Sequence, residues 1–367
     1  MKRFGNLYEQ IYDLDNLRLA HQNAKRGKGW YKEVQMIEQN PEYYLKQIQD
    51  MLINKTYHTS EYKTFIKKEG KKEREIFKLP YFPDRICQWA ILQVIEPILM
   101  NNLTIDTYSA IPGRGIHFGL KRVIHDMQTD VVGCQYCLKI DARKYYPSIN
   151  HQILKNKYRR IFKDNDLIWL LDEIIDSTEG DKGIPIGNYL SQWSGNFYLS
   201  SFDHWIKEVK HVKHYHRYMD DIVVFGKTKE ELHQLLKDIQ YYFKNILKLK
   251  VKDNYQVFPT YIRGVDFLGY RIFFDYVLLR KSTCKQMKKK MIQIKEKVKD
   301  GNLMNYSEWC SINSYQGWLI YCNSYRLSDK YIEPIRKDSI AYYEKIVKKK
   351  GLDADGKSWN SKKLRCA

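Results

Sequence analysis

Three aspartates are the residues of this chain whose types and positions are best suited to chemistry. Asp220 and Asp221 are adjacent in "HYHRYMDDIVVFGK", residues 214–227, between an aromatic approach and an apolar exit. Adjacent carboxylates repel each other, and burying either one without compensation is costly, so an apolar strand should avoid the pair. A divalent cation would offset the repulsion between the two carboxylates, because Mg²⁺ prefers carboxylate oxygens and keeps bound waters. The pair therefore predicts a cation site.

Asp141 is the third carboxylate, and it follows the apolar-flanked strand "CLKI", residues 137–140. If this strand and the strand beside Asp220 are neighbours in one sheet, three carboxylates converge at one edge. Two Mg²⁺ ions about 4 Å apart can activate an attacking hydroxyl and stabilise the leaving oxygen of a phosphoryl transfer. The aspartates thus predict that reaction class, whereas an exposed Asp-Asp turn without chemistry fits the apolar strands poorly.

Three other patterns predict a site less well. "CQYC", Cys134–Cys137, has zinc-like spacing, but no second close pair accompanies it, so we interpret it as part of the strand that leads to Asp141. "PGRGIHFG", residues 112–119, lacks the glycine spacing and the preceding strand of a dinucleotide site, and favours a turn that exposes Arg114 to a nucleic-acid backbone. The nearby histidines His211, His214 and His216 could suggest a transition-metal site. No acidic residue or Cys lies at a fixed spacing from them, so the sequence does not favour such a site.

Composition indicates the class of partner. Lys and Arg number 63 against 43 Asp and Glu, and this net charge of +20 favours a polyanion, with nucleic acid the first choice and an anionic membrane the second. Thirty tyrosines offer stacking surfaces for bases. The N-terminus lacks the apolar region of a signal peptide, and no apolar run approaches the roughly 20 residues of a membrane helix. With seven scattered cysteines, these features predict a cytoplasmic protein with reduced thiols.

The elements that would position the aspartates form an α+β pattern. Residues 1–60 predict helices, one of them capped by Asn40 with Pro41 in its first turn, and residues 61–80 predict two basic strands around a turn at 68–71. A helix follows from residue 84, then the strand that ends at Asp141, and Asn150 caps the next helix. These elements place Asp141 at a strand end.

The second half of the pattern surrounds the Asp pair. A helix over residues 187–207 has apolar residues that suit core packing, and the next segment predicts a hairpin with Met219 and Asp220 at its tip. Thr228 and Glu231 predict the capping box of a further helix. Beyond residue 280 a basic amphipathic helix has the apolar stripe Met287, Met291, Ile294 and Val298.

These motifs together resemble one known family. "YMDD", "LKIDARKYYPSI" (138–149) and "FLGYRI" (267–272) resemble the palm motifs of reverse transcriptases. "YSAIPGRG" (108–115) and "REIFKLPYFPDRICQWAI" (74–91) resemble finger motifs of bacterial members related to group II intron enzymes. The resemblance covers roughly residues 61–275. It implies a right-hand polymerase fold with an N-terminal helical extension (1–60), fingers (61–135), a palm (136–278) and a helical basic thumb with a tail (279–367).

The resemblance also implies roles for particular residues. Asp141, Asp220 and Asp221 match the catalytic triad that binds two Mg²⁺ ions, for which Mn²⁺ is a possible substitute, and Tyr146 matches the gate that excludes a ribose 2′-hydroxyl. The incoming triphosphate would be bound by hairpin cations, here Lys63, Lys68 and Arg74. The primer grip of the family corresponds to Phe267, Leu268, Gly269 and Tyr270. Template RNA, a primer or cDNA, and dNTPs are the partners that this family implies.

One departure points to a subgroup. Most relatives carry a Gln-Gly…Ser-Pro box against the incoming nucleotide, whereas this chain has Ile186 for the Gln and Gln192 for the Pro, with Gly187 and Asn188 between them. This variant and the tail "SYQGWLIYCNSYRL" (314–327) resemble the reverse transcriptases of diversity-generating retroelements. Such enzymes copy a template RNA with errors at adenines, pass the cDNA to a variable gene copy, and work with a small basic helical accessory protein.

Two alternatives to this function stay open. The chain resembles other bacterial reverse transcriptases as well, from group II introns, retrons or phage-defence systems, although the part after the predicted thumb is short for a maturase with an endonuclease. A non-catalytic RNA-binding scaffold would keep the fold and the charge without the chemistry. The intact set of three aspartates favours the enzyme over the scaffold.

Overall fold

The computed structural model describes residues 3–69 and 72–344, which form a mixture of helices and sheets. The predicted turn at 68–71 lies partly outside the described residues, as do the first two residues of the predicted N-terminal extension and residues 345–367 of the predicted thumb and tail. No helix in the described ranges is long and apolar enough to cross a membrane.

Helices make up most of the described chain. Those before the site are α1 Tyr8–Tyr12, α2 Leu14–Ala24, α3 Lys32–Gln39, α4 Pro41–Ile53, α5 Ile86–Asn101, α6 Ile116–Thr129 and α7 Tyr145–Ser148. Those that follow are α8 His151–Ile161, α9 Asn165–Asp176, α10 Tyr189–His204, α11 Lys229–Asn245, α12 Thr260–Arg263, α13 Lys281–Lys299, α14 Tyr306–Leu319, α15 Tyr325–Tyr331 and α16 Glu333–Tyr342. Two π-helical turns, Tyr81–Arg85 and Trp205–Val209, adjoin α5 and α10.

The strands form three sheets. They are β1 Lys63–Glu69, β2 Lys72–Lys78, β3 Tyr136–Asp141, β4 Tyr215–Tyr218, β5 Asp221–Gly226, β6 Gln256–Pro259, β7 Val265–Phe267, β8 Tyr270–Ile272 and β9 Val277–Leu279. β1 and β2 pair as a two-stranded antiparallel ribbon, the central sheet has the order β4-β5-β3-β6, and β7-β8-β9 form the third sheet. β3 and β5 are therefore neighbours, as the predicted convergence of the aspartates requires.

The chain groups into two compact units. The first contains the described residues of Met1–Gly115, Leu138–Val224 and Glu230–Gln256, and the second those of Ile116–Cys137, Phe225–Lys229 and Val257–Ala367. Residues 116–135 thus group with the C-terminal part of the chain, although they fall within the predicted fingers. The division into extension, fingers, palm and thumb stays a prediction.

Two of the caps predicted from the sequence, at Asn40 and Asn150, are present in the structure. The Asn40 side chain accepts a hydrogen bond from the Tyr43 N–H at 3.4 Å, with Pro41 opening α4. The Asn150 side chain accepts from the Ile153 N–H at 3.0 Å and so begins α8. Both caps satisfy N–H groups that the first turn of a helix leaves unpaired.

Most residues of helix α10 are buried, and the helix lies in the core of the first unit. Its residues Leu190, Trp193 and Phe197 are at most 4% exposed, which confirms the predicted core packing. Two of its polar side chains bond to other segments: the Tyr198 hydroxyl donates to the Leu247 carbonyl at 2.6 Å, and the Asn196 amide donates to the Ser109 carbonyl at 2.6 Å. The helix therefore connects distant loops of this unit.

In the second unit the predicted basic amphipathic helix is present as α13. Met287, Met291 and Ile294 are at most 1% exposed, while most of the lysines of the whole helix are exposed. The next helix begins at a complete capping box, in which the side chains of Asn305 and Glu308 each accept a hydrogen bond from the other residue's N–H.

Candidate active site

The candidate site is built on the turn between β4 and β5. Tyr218 pairs with Asp221 in the antiparallel register, so Met219 and Asp220 form the predicted two-residue tip. Met219 has a φ of +58°, a left-handed conformation that costs free energy for a residue with a side chain. The Arg217 Nη1 group donates a hydrogen bond to the Met219 carbonyl at 2.8 Å and holds this conformation.

Arg217 belongs to a buried network that the sequence did not reveal. Arg217 and Asp203 are both 0% exposed, and Arg217 Nε donates to Asp203 Oδ1 at 2.7 Å while its Nη2 group pairs with the other oxygen. The Tyr215 hydroxyl donates to the same Oδ1 at 2.5 Å. The sequence held two signals for this pair. One is an Arg in a strand flanked by inward-facing residues, and the other is an Asp within the otherwise uncharged face of α10.

The carboxylates of Asp141 and Asp220 face each other at the edge of the central sheet. Burial raises the pKa of Asp220, and hydrogen bonding with Asp141 and the charge of that carboxylate raise it further, to about 7. The pKa shift thus follows first from the burial of Asp220 and then from its closeness to a second carboxylate. The structure thus brings Asp141 and Asp220 together as the sequence predicted.

Two lysines absent from the sequence prediction accompany the aspartates. Lys252 Nζ lies 2.6 Å from Asp141 Oδ2, and Lys139 Nζ lies 3.6 Å from Asp221 Oδ1. The Lys252 N–H also donates to the Asp141 carbonyl at 2.8 Å, so the backbone fixes this lysine beside β3. Both lysines supply positive charge at a place where acids cluster.

The carboxylates of the site are chemically suited to bind a divalent cation, although they are not arranged as a metal site. Apart from the Asp220 carboxyl, the buried Oδ1 atom of Asp141 accepts no hydrogen bond from residues 3–69 and 72–344. Carboxylate oxygens without donors are the ligands that Mg²⁺ takes. No group of three or more His, Cys, Asp or Glu within those residues is assembled as a metal site, and this includes the Cys134–Cys137 segment and the histidines around His214.

Tyr146 lies beside the turn that carries Asp220. Its hydroxyl donates a hydrogen bond to Met219 Sδ at 3.4 Å, and its ring lies next to Gly195 of α10, where a Cβ would be in ordinary contact with it at 3.5 Å. Burial and then the charge of Asp220 raise the pKa of Tyr146, while Arg74 lowers it. The predicted gate residue, the tip aspartate and one hairpin cation are therefore close to each other.

The three residues predicted to bind the triphosphate, Lys63, Lys68 and Arg74, lie on two different faces of the ribbon of β1 and β2. In the observed register Lys63 is opposite Lys78 and Lys67 is opposite Arg74, which places Lys63, Lys67 and Arg74 on one face. Lys68 lies on the other face, where its Nζ is 3.2 Å from the Glu73 carboxylate. Like charges directly opposite each other are unfavourable in a sheet unless an anion lies between them. Lys67 is a candidate that the sequence analysis missed.

The loop before α10 is anchored through its backbone. The Ile186 carbonyl accepts from the Phe77 N–H at 2.9 Å, and the Ile184 N–H donates to the Tyr146 carbonyl at 3.1 Å. Gly187 has a φ of +126°, and a Cβ there would lie 2.6 Å from the Phe77 carbonyl, so this close approach requires glycine. Asn188 is buried, whereas Gln192 is exposed on α10.

The predicted primer grip lies in the second unit. Phe267 and Tyr270 are 0% exposed at the ends of β7 and β8, and Leu268 and Gly269 form the turn between them with φ values of +53° and +85°. The Tyr270 hydroxyl donates to the Trp318 carbonyl at 3.0 Å, and a Cβ on Gly269 would lie 2.3 Å from the Trp318 ring. The segment is thus tied to the "SYQGW" part of α14.

Breaking the buried ion pair should destabilise the first unit. We expect Arg217→Met to lower the free energy of unfolding by about 3–5 kcal/mol, because it leaves the Asp203 charge buried and unpaired. Urea unfolding measures the change. The matched control is Arg18→Met, which removes an exposed pair with Glu42 and should leave stability nearly unchanged. The double variant Arg217→Met/Asp203→Leu should recover part of the lost stability. An equal loss of stability in Arg217→Met and in the control Arg18→Met would contradict the role given to the buried ion pair.

Comparisons with known proteins show which family the chain resembles. Residues 66–272 match the family model described as reverse transcriptase (RNA-dependent DNA polymerase). "Protein YkfC" of Escherichia coli (strain K12) is 23% identical over 255 residues, which cover 57% of this chain and 66% of that protein. A solved structure of apo telomerase from Candida tropicalis, truncated from the C-terminal domain, is 12% identical with a TM-score of 0.42, over 64% of this chain and 58% of that one.

The family model covers more than half of the chain, and it includes β2 with the second part of β1, the three aspartates and the segment from Phe267 to Tyr270. The enzyme class expected from the sequence, an RNA-directed DNA polymerase, is thereby confirmed at the level of the family. The chain belongs to the reverse transcriptase family.

Proposed function

We propose that the chain is the RNA-directed DNA polymerase of a diversity-generating retroelement, which copies a template RNA with errors at adenines. The observation that carries the polymerase assignment is the pair of facing carboxylates, Asp141 and Asp220, at the edge of the central sheet. The subgroup assignment rests on Ile186 and on the resemblance of the tail. The proposed partners are the template RNA, a primer, dNTPs and a small basic helical accessory protein.

The proposed reaction is the extension of a primer by one nucleotide. The primer 3′-oxygen forms a bond to the α-phosphorus of a dNTP, the bond from that phosphorus to the bridging oxygen breaks, and pyrophosphate leaves. Asp141 and Asp220, with Asp221 beside them, would hold two Mg²⁺ ions, or Mn²⁺ in their place. When bound, such cations activate the attacking hydroxyl and stabilise the leaving oxygen.

The surrounding residues would position the substrates. Lys63, Lys67 and Arg74 share one face of the ribbon and can bind a triphosphate, whereas Lys68 would need a different anion on its own face. The Tyr146 ring lies beside the Asp220 turn, where it can exclude a 2′-hydroxyl from the sugar of the incoming nucleotide. In this proposal the aspartates bind the cations, the ribbon binds the triphosphate and Tyr146 selects the sugar.

The error-prone character follows from the loop at Ile186. A glutamine at this position can form a hydrogen bond at the nucleotide, whereas isoleucine offers only its shape. The loss of one such contact is worth about 1 kcal/mol, which is several-fold in discrimination between right and wrong pairs. This account explains a general loss of fidelity and does not single out adenine.

Removal of the tip carboxylate should abolish synthesis. We expect Asp220→Asn to lower primer extension on a defined RNA template with Mg²⁺ and dNTPs by at least about a hundredfold, because an amide lacks the charge that holds a cation. Asp15→Asn, an exposed acid of α2, is the matched control and should retain activity. Unchanged incorporation by Asp220→Asn at equal RNA binding would refute the catalytic role.

The sugar selectivity should depend on the Tyr146 ring. Tyr146→Val should admit ribonucleotides, because it opens the space that a 2′-hydroxyl needs, whereas Tyr146→Phe keeps the ring and should keep the exclusion. Single-nucleotide incorporation of rNTPs against dNTPs measures the ratio. If the Val variant excludes rNTPs as well as the unaltered chain does, Tyr146 is not the gate.

Fidelity should depend on the side chain at position 186. Ile186→Gln should lower misincorporation several-fold, and Ile186→Val should leave it near the original level, because only glutamine adds a hydrogen bond. Sequencing of cDNA made on an RNA template that contains all four bases gives the error rate at each base. Errors concentrated at template adenines support the retroelement, an even and low spectrum supports another bacterial reverse transcriptase, and an unaltered spectrum in the Gln variant refutes the account of Ile186.

A further inference from the structure

The peptide group between Gly183 and Ile184 is held by hydrogen bonds on both of its sides. Its N–H, that of Ile184, donates to the Tyr146 carbonyl at 3.1 Å. Its carbonyl oxygen, that of Gly183, accepts from His151 Nε2 at 2.6 Å and from Thr178 Oγ1 at 2.8 Å. A peptide group is planar and trans, so its N–H and its carbonyl point in opposite directions. The donors to the carbonyl therefore also direct the N–H toward the candidate gate residue.

The His151 ring contacts this loop through one nitrogen. His151 is the first residue of α8 and is 4% exposed. A carbonyl oxygen can only accept, so the hydrogen of the contact with Gly183 is on Nε2. Nδ1 is buried without a hydrogen-bond partner in the ranges 3–69 and 72–344, and it lies 3.7 Å from Asp176 Oδ1. Removal of Nε2 would thus remove the hold of this ring on the loop.

Backbone contacts on either side bring the loop close to the start of α8. The Gly183 N–H donates to the Ile149 carbonyl at 2.8 Å, and the His151 N–H donates to the Asp181 carbonyl at 3.0 Å. Gly183 has a φ of +103°, a conformation that glycine adopts readily and other residues do not. The orientation of the peptide group after Gly183 is therefore set by its surroundings, His151 among them.

The link from this peptide group to Ile186 is short and stiff. Pro185 is the one residue between Ile184 and Ile186, and its ring fixes its own φ. Ile184 and Pro185 are both buried, which limits their movement further. A change in the orientation of the peptide group before Ile184 is therefore passed on to Ile186.

We propose that His151 is a positioning residue for nucleotide selection. With Thr178 it forms a loop anchor, the pair of side chains that holds the Gly183 carbonyl, and through this carbonyl it sets the place of Ile186 and the backbone contact of Tyr146. The inference deepens the proposed function and rests on it in one respect, since it takes Ile186 to contact the incoming nucleotide. His151 acts through the loop and has no contact with the nucleotide.

Hydrogen exchange of the full chain without RNA tests the loop anchor. We expect His151→Leu to speed exchange of the amide hydrogens of residues 181–187 by about fivefold or more, because the Gly183 carbonyl loses a donor. His151→Gln should keep the slow exchange, since its amide nitrogen can donate in place of Nε2. The matched control is His233→Leu on an exposed position of α11, which should leave these amides unchanged. Equal exchange in the Leu and Gln variants of His151 would overturn the proposal.

Steady-state nucleotide incorporation tests the effect on selection. We expect His151→Leu to raise the KM for the correct dNTP and the misincorporation rate about threefold or more each, with kcat within about twofold, because the aspartates are unaltered. His151→Gln and His233→Leu should match the unaltered chain in both quantities. A lower kcat with unchanged KM and unchanged error rate would overturn the positioning role.

Thr178→Val gives an independent test that holds even if His151→Leu does not fold. The substitution removes the second donor to the Gly183 carbonyl and keeps nearly the same side-chain shape. We expect faster exchange of residues 181–187 and a higher error rate, each to a smaller degree than in His151→Leu, with thermal unfolding as the check of folding. Unchanged exchange and an unchanged error rate in a folded Thr178→Val variant would overturn the loop anchor.

The two readouts separate this inference from the proposed function. If the unaltered chain makes no DNA while exchange is faster in His151→Leu and slow in His151→Gln, the proposed function is refuted and the loop anchor stands. If the chain makes DNA and faster exchange leaves both KM and the error rate unchanged, His151 supports the fold alone and the positioning role is overturned.

Discussion

The repulsion between Asp141 and Asp220 is the constraint on which the candidate site depends. The two carboxylates are fixed by neighbouring strands of one sheet, so the fold cannot relieve the repulsion by letting them move apart. Positive charge has to be supplied, and Lys252 and Lys139 supply it through partly exposed side chains. If the proposed cations bind, these long and flexible lysine side chains can withdraw from the carboxylates.

A second buried charge makes that geometry possible. A buried ion pair such as Arg217 with Asp203 adds little net stability, because removing both charges from water offsets their attraction. Its value here is positional, since Arg217 also bonds to the Met219 carbonyl and thereby fixes the left-handed residue next to Asp220. Helix α10 supplies Asp203 and, at Gly195, also lies next to Met219 and Tyr146, from each of which a Cβ would be 3.5 Å away. One helix thus packs beside both the tip of the hairpin and the candidate gate.

The parts of this site that sequence reasoning could predict are those with local signals. The hairpin tip, the strand that ends at Asp141 and the caps at Asn40 and Asn150 all follow from short patterns of apolar, turn and capping residues. The pairing of β3 with β5 was only a condition of the prediction, because strand order depends on contacts between distant segments. The contact of Lys252 with Asp141 and the pairing of Asp203 with Arg217 could not be predicted for the same reason. The faces of the ribbon depend on register, and the register assigned Lys67 rather than Lys68 to the side of Arg74.

The loop at Ile186 shows how the departure from the family box can be accommodated. The loop is held by backbone groups, through the Ile186 carbonyl with Phe77 and the Ile184 N–H with Tyr146. The side chain at position 186 takes no part in these bonds, so its replacement need not change where the loop lies. The neighbouring glycine has no such freedom, because any Cβ at Gly187 would collide with the Phe77 carbonyl. Under the proposed function, fidelity would therefore vary with residue 186 while Gly187 keeps the geometry of the loop.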